Sequence, residues 1–142
     1  VYKGASDSDR RGDLRQRPAD ATQFGEPVAQ RISTRPPPED GITVFASRSH
    51  GSYHDPELED FLSRFKIAAR RQAGSSLKFC LVATGEADLY PRFGPTMEWD
   101  TAAGHAVLEA AGGRLTTPEG QPFLYGKPGF RNGNFVAWGW RN

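Results

Sequence analysis

The chain has 142 residues, with 37% apolar and 25% charged side chains and a formal net charge of +1. One ordinary domain fits that length, and a field this weak argues against nucleic acid or a membrane surface as partner. No stretch is long and apolar enough to span a bilayer, and no signal peptide is visible.

Residues 1–40 read as a loop-rich, partly disordered segment, with one weak strand near Val28 to Ile32. Pro18, the run Pro36-Pro37-Pro38 and many Arg and Asp residues break any period there. The opening Val1-Tyr2-Lys3-Gly4 lacks an initiator Met, which is consistent with a fragment or a processed chain. Residues 41–142 read as an α/β domain.

Ile42 to Ala46 is a short β-branched run, which predicts a buried strand. The loop Ser47-Arg48-Ser49-His50-Gly51 follows. Asp55 suits a helix N-cap and Pro56 the first helical position. Leu58, Phe61, Leu62, Phe65, Ala68 and Ala69 then recur at helical spacing, predicting a helix that ends near Arg71.

Leu77 to Ala83 is nearly all apolar, and periodicity leaves helix and strand equally open. Gly85 would cap a helix well. Ala87 to Tyr90 reads as a strand. Trp99 to Ala111 is a helix whose Ala102, Ala103, Ala106, Val107, Ala110 and Ala111 form a small-residue face for close packing. Gly112-Gly113 ends it. Leu115 and Phe135 to Trp138 are strands. Two Gly/Pro-rich stretches, Tyr90 to Thr96 and Gly126 to Gly133, are candidate functional loops. Alternating strands and helices predict a layered α/β fold.

Four places carry chemistry. Asp100, heading the alanine-rich helix, is either a plain cap or an oxygen ligand for a hard cation. Glu98 beside it assists or is solvated. Ser47-Arg48-Ser49-His50 offers phosphate or base-edge partners, or is a structural turn; nothing around it makes a nucleophilic triad. Gly74-Ser75-Ser76-Leu77-Lys78 could present hydroxyls and an ammonium to a phosphate, although P-loop spacing is absent. Arg92, on what reads as a stiff Tyr90-Pro91-Arg92-Phe93-Gly94-Pro95 loop, either clamps a phosphate or packs on an aromatic. Cys80 lies in an apolar run as an inert thiol and suits a reducing compartment.

These stretches, together with Trp99-Asp100-Thr101-Ala102-Ala103-Gly104-His105 and the tail Tyr125-Gly126-Lys127-Pro128-Gly129-Phe130-Arg131-Asn132, occur in an order that resembles the bacterial 3′(2′),5′-bisphosphate nucleotidases. Those enzymes resemble inositol monophosphatases in fold. The likeness covers roughly residues 42–138. It implies the C-terminal portion of an αβαβα sandwich, with a mixed sheet and flanking helices.

The resemblance also implies roles. Asp100 would bind a catalytic Mg²⁺. His50, Ser75, Ser76, Lys78 and Arg92 would line the nucleotide site, with Asp100 beside the substrate. The reaction implied is Mg²⁺-dependent hydrolysis of 3′(2′)-phosphoadenosine 5′-phosphate to AMP and phosphate, in the cytoplasm or at the inner face of its membrane. No protein nucleophile is needed.

One departure is large. The family's Asp-Pro-x-Asp-Gly-Thr motif and its upstream glutamate are missing, and the one Asp-Pro pair, Asp55-Pro56, continues as Glu57-Leu58. The expectation is therefore a C-terminal half that needs an N-terminal partner segment to complete the metal site. The alternatives are a truncated, non-catalytic nucleotide-binding remnant, an inositol-monophosphatase-type sugar phosphatase, and a misassembled sequence without independent function.

Overall fold

The computed structural model describes residues 30–46, 55–74 and 77–141. Seven strands and three helices are found among them: β1 Ile42–Ala46, α1 Pro56–Leu62, β2 Ile67–Gln72, α2 Leu77–Ala83, β3 Leu89–Arg92, β4 Thr96–Met97, α3 Glu98–Ala110, β5 Arg114–Thr116, β6 Arg131–Asn132 and β7 Phe135–Trp138. Five strands form one mixed sheet in the order β2-β1-β3-β7-β5. β1 runs parallel to β2 and β3, and β7 runs antiparallel to β3 and β5. β4 and β6 make a separate two-stranded ribbon.

Strand side chains alternate between faces, so one sheet feeds two apolar clusters. Val44, Leu89, Val136 and Trp138 meet Leu58, Phe61 and Leu62 of α1. Phe45, Tyr90, Phe135 and Ala137 meet Phe79 and Val82 of α2 and Leu108 of α3. Helices thus cover both faces of a mixed sheet, the layered α/β arrangement expected.

The Asp55 cap forms as expected: its Oδ1 accepts from the N–H of Glu57 (3.0 Å) and of Leu58 (3.3 Å). The helix does not reach Arg71. It stops at Leu62, and Ile67–Gln72 is a strand paired with β1. Ala and Arg favour helix locally, but the outer backbone groups of β1 need a ladder partner, and that demand decides the segment.

Leu77–Ala83 resolves as a helix. Gly85, at φ +74°, ends it as predicted, with the N–H of Glu86 bonded to the Leu81 carbonyl. The next strand begins later than expected, at Leu89, because the Ala87 N–H is still tied to the Leu81 carbonyl.

The buried face of α3 is not the one predicted. Thr101, Gly104 and Leu108 are buried, with Ala111 just beyond, whereas Ala102, Ala103, Ala106, Val107 and Ala110 are exposed. Gly104 explains the rotation. A Cβ there would sit 2.5 Å from Cδ2 and 2.6 Å from Cγ of Phe79. Phe79 is 1% exposed and held between Tyr90 and Phe135, so it cannot retreat. Gly104→Ala is expected to cost about 3 kcal/mol in overpacking against about 1 kcal/mol gained in helix propensity, a net loss of about 2 kcal/mol. Urea denaturation checks this, and an unchanged midpoint would mean that α2 and α3 separate freely.

The expected strand near Val28 to Ile32 does not extend over 30–32; Val28 itself lies outside the described residues. Residues 31–40 are irregular but anchored. The Thr34 N–H bonds the Ala111 carbonyl at 2.9 Å. Arg35 grips Asp88 with two parallel bonds, Nε to Oδ1 at 2.7 Å and Nη2 to Oδ2 at 2.9 Å.

Candidate functional site

In open sheets of this kind ligands gather at the carboxyl ends of the parallel strands. Three parallel strands lie side by side here, and each leads into a candidate segment: β1 into 47–54, β2 into 73–76 and α2, and β3 out through Arg92. His50, Ser75 and Ser76 lie outside the described residues, so their proposed roles rest on sequence alone.

Lys78 occupies the second position of α2 and is 2% exposed. Its Nζ donates to the Ala73 carbonyl at 2.9 Å and lies 5.0 Å from the Tyr90 ring centroid. It meets no carboxylate among the described residues. Burial first, and the Arg92 charge second, hold its ammonium below the ordinary lysine value.

Arg92 ends β3, two residues beyond Tyr90 and therefore on the same sheet face. The stretch expected as a stiff loop is a sheet strand up to this point. Neither flanking aromatic stands beside Arg92 to support a ligand base: Tyr90 is in the core, and Phe93 packs on Phe61 across the sheet, ring centroids 5.8 Å apart. The Tyr90 phenol is pushed up to about 12, chiefly by burial, with Arg92 opposing and Asp100 assisting. One buried phenol therefore feels both Arg92 and Asp100, and Lys78 lies over its ring. The structure brings Lys78, Arg92 and Asp100 to one region.

Asp100 is in the first turn of α3 and is exposed. Its Oδ2 accepts the Met97 N–H at 2.8 Å. It lines a hollow of about 260 Å³ with Cys80, Trp99, Ala103, Gly104 and Val107. Asp100 fits one oxygen-ligand position for a hard cation. Among the described residues no group of three or more His, Cys, Asp or Glu could complete such a site. A larger hollow of about 510 Å³ opens on the α1 face between Glu57, Asp60, Phe93 and Asn134, and no candidate residue lines it.

Sequence reading left open the part played by Glu98, and it passed over Lys127 and Asn132 individually. Glu98 is 8% exposed. Its carboxylate accepts the N–H groups of Gly126 (3.0 Å) and Lys127 (2.9 Å) and pairs with Lys127 Nζ at 3.2 Å. Those bonds, the Lys127 N–H foremost, hold its carboxyl below the usual value, while burial opposes them. The Gly126–Gly133 stretch is thereby fastened to the start of α3. The sequence signal was its Gly/Pro density, which marks a loop but not its mooring.

The inositol monophosphatase family matches residues 19–141 of the chain. An uncharacterized protein in the pss 5′ region of Rhizobium leguminosarum bv. phaseoli is 56% identical over 87 residues, which are 57% of this chain and 92% of that one. The 3′(2′),5′-bisphosphate nucleotidase CysQ of Shigella flexneri is 50% identical over 110 residues, covering 73% of this chain but 42% of the relative. The crystal structure of CysQ from Bacteroides thetaiotaomicron, a bacterial member of the inositol monophosphatase family, matches with TM-score 0.62 and 40% identity over 77% of this chain and 41% of its own. The chain thus spans about two fifths of the length of the nucleotidases it matches. With its mixed sheet flanked by helices and a match over nearly its whole length, this chain belongs to the inositol monophosphatase family.

Proposed function

We propose that this chain is the C-terminal, phosphate-gripping part of a Mg²⁺-dependent phosphatase that converts 3′(2′)-phosphoadenosine 5′-phosphate to AMP and phosphate. The observation that carries the reading is Lys78: a buried ammonium that faces a carbonyl and an aromatic ring but, among the described residues, no carboxylate. A buried cation without a counter-charge is costly, and an anionic ligand would offset that cost. The half-identical nucleotidase relatives support a nucleotide bisphosphate as that anion.

Lys78 and Arg92 bind phosphate oxygens in this reading, Lys78 as a point charge and Arg92 as a planar fork. Ser75, Ser76 and His50 belong to the segments that would close over the nucleotide. Asp100 contributes one carboxylate oxygen to the metal. Mg²⁺, when bound, would polarise the phosphoryl group and activate water. Among the described residues no cluster of three or more His, Cys, Asp or Glu completes the site, and in this reading the remaining ligands are supplied by polypeptide outside the described residues.

The outer face of α3 accords with such a missing layer. Trp99 is 66% exposed, and Val107 and four alanines lie open beside it. A second reading, a nucleotide-binding remnant without turnover, is favoured by the solitary Asp100. Among the described residues no helix is long and apolar enough to cross a membrane. By the resemblance to the nucleotidases, we place the enzyme in the cytoplasm or at the inner face of its membrane.

The test is phosphate release from 3′-phosphoadenosine 5′-phosphate, and from inositol phosphate, by the chain alone and by the chain supplied with the upstream half of a full-length relative. Turnover of the nucleotide only in the supplemented form, dependent on Mg²⁺ and lost in Asp100→Asn, is the expected result. AMP binding without turnover in either form supports the remnant. Robust turnover by the purified chain alone would contradict the account of the missing ligands.

A further inference from the structure

A lysine on a Lys-Pro-Gly turn is ordinarily solvated. Lys127 is not: its side chain is 28% exposed and its ammonium lies 4.3 Å from the centroid of the Phe123 ring. All three ammonium protons have acceptors, on Glu98 (3.2 Å), on Asn132 Oδ1 (3.0 Å) and on the Leu124 carbonyl. The bond to Asn132 matters most. An ammonium can only donate, so it fixes which end of the Asn132 amide is oxygen.

The other end must then be the donor. Asn132, 2% exposed, directs Nδ2 to the Met97 carbonyl at 2.9 Å, and to the hydroxyls of Thr96 (3.1 Å) and Thr101 (3.2 Å). Met97 is also the residue whose N–H is taken by Asp100 Oδ2. Residue 97 is held from its carbonyl side by Asn132 and, from its N–H side, holds Asp100. A continuous chain of bonds runs from the half-buried Lys127 ammonium through Asn132 and Met97 to the Asp100 carboxylate. It ties up Oδ2 and leaves Oδ1 as the oxygen presented to solvent.

Building on the proposed function, we infer that Lys127 and Asn132 are positioning residues for Asp100: they set its carboxylate to offer a single oxygen to a divalent cation. A first-turn aspartate without this hold would rotate among several side-chain conformers, and each would present the cation with a different geometry. Loss of a partner that orients a metal ligand costs about 10- to 100-fold in metal affinity.

The sign of one substitution separates positioning from plain electrostatics. Lys127→Met removes a positive charge from the neighbourhood of a cation site, so electrostatics alone tightens cation binding. Positioning predicts the opposite. The experiment is a Mn²⁺ titration of the ¹⁵N-labelled chain supplied with the unlabelled upstream half of a full-length relative, read as paramagnetic broadening at the Asp100 amide and the Trp99 indole. Asp100→Asn should abolish the selective broadening. Lys127→Met should raise the Mn²⁺ midpoint about tenfold. Asn132→Leu should do the same and serves if Lys127→Met does not fold. Arg35→Lys, which loosens the chain far from α3's first turn, controls for lost stability.

If Asp100→Asn abolishes broadening while Lys127→Met and Asn132→Leu bind Mn²⁺ as tightly as the wild type, or more tightly, positioning is overturned and the metal reading stands. If Arg35→Lys moves the midpoint as far as they do, the effect is one of stability and positioning is again overturned. If broadening is absent in the wild type, or survives Asp100→Asn, the metal reading fails and takes the inference with it.

Discussion

Lys78→Met will stabilise the unliganded chain by about 1 kcal/mol and weaken its hold on AMP about a hundredfold. The two effects have one cause. The Lys78 ammonium is buried, with one carbonyl and one ring for company, and its pKa is lowered in the fold. A base with a depressed folded pKa opposes folding while it carries its proton in both states. That penalty is full below the folded pKa and disappears as pH rises through it towards the ordinary lysine value. The gain from Lys78→Met should therefore be present at neutral pH and vanish in strong alkali. In the proposed function a bound phosphate supplies the counter-charge that the described residues do not, so the substitution that helps the empty site harms the filled one. Urea unfolding across pH, paired with AMP titration calorimetry, measures both. A destabilised variant with unchanged AMP affinity would make Lys78 a structural residue serving only the Ala73 carbonyl.

Arg35→Ala should cost about 3 kcal/mol, a large share of the stability of a small domain. Asp88 is 0% exposed, and it accepts both Arg35 bonds together with the Thr43 N–H at 2.7 Å. Removing the guanidinium strands a buried carboxylate with one amide donor. The Arg35 side chain is 43% exposed, so the loss should fall at the lower end of the range for broken buried pairs. Asp88→Ala on top of Arg35→Ala should cost little more, because the stranded charge is then gone. A double-mutant cycle by chemical denaturation decides it. Strict additivity of the two substitutions would mean that water reaches Asp88 and that the pair is not coupled.

The parts legible in the sequence are those where local chemistry and tertiary demand agree. Asp55-Pro56 starts a helix because a cap and a preset φ act within four residues. β1 is legible from its β-branched run, and the Trp99-Asp100 helix from its alanines. β2 was hidden because Ile67-Ala68-Ala69-Arg70-Arg71-Gln72 favours helix locally, and only pairing with β1 turns it into a strand. The face of α3 was hidden for another reason. Its closest contact is made by Gly104, which has no side chain to weigh, and its deepest polar residue, Thr101, carries no apolar signal. Lys78, Arg92 and Asp100 could be named from motif order, but their convergence depends on strand order, which spacing does not encode. The Lys127–Asn132 chain escaped because it joins a loop to a helix start through an amide whose orientation no sequence pattern records.

The sheet's two borders limit how the protein can grow. β2, at one border, carries Arg70 locked onto Glu59 of α1 by bonds of 2.6 and 2.9 Å, with Arg71 exposed beside it. β5, at the other, is three residues long, and its Thr116 is bridged to Pro122, which has no N–H to offer a further strand. Charge on one side and a short, proline-sealed rim on the other discourage edge-to-edge pairing. In the reading proposed above, polypeptide that completes the metal site would therefore stack over the α2–α3 layer rather than zip onto the sheet. The same blunted rims guard against runaway strand addition.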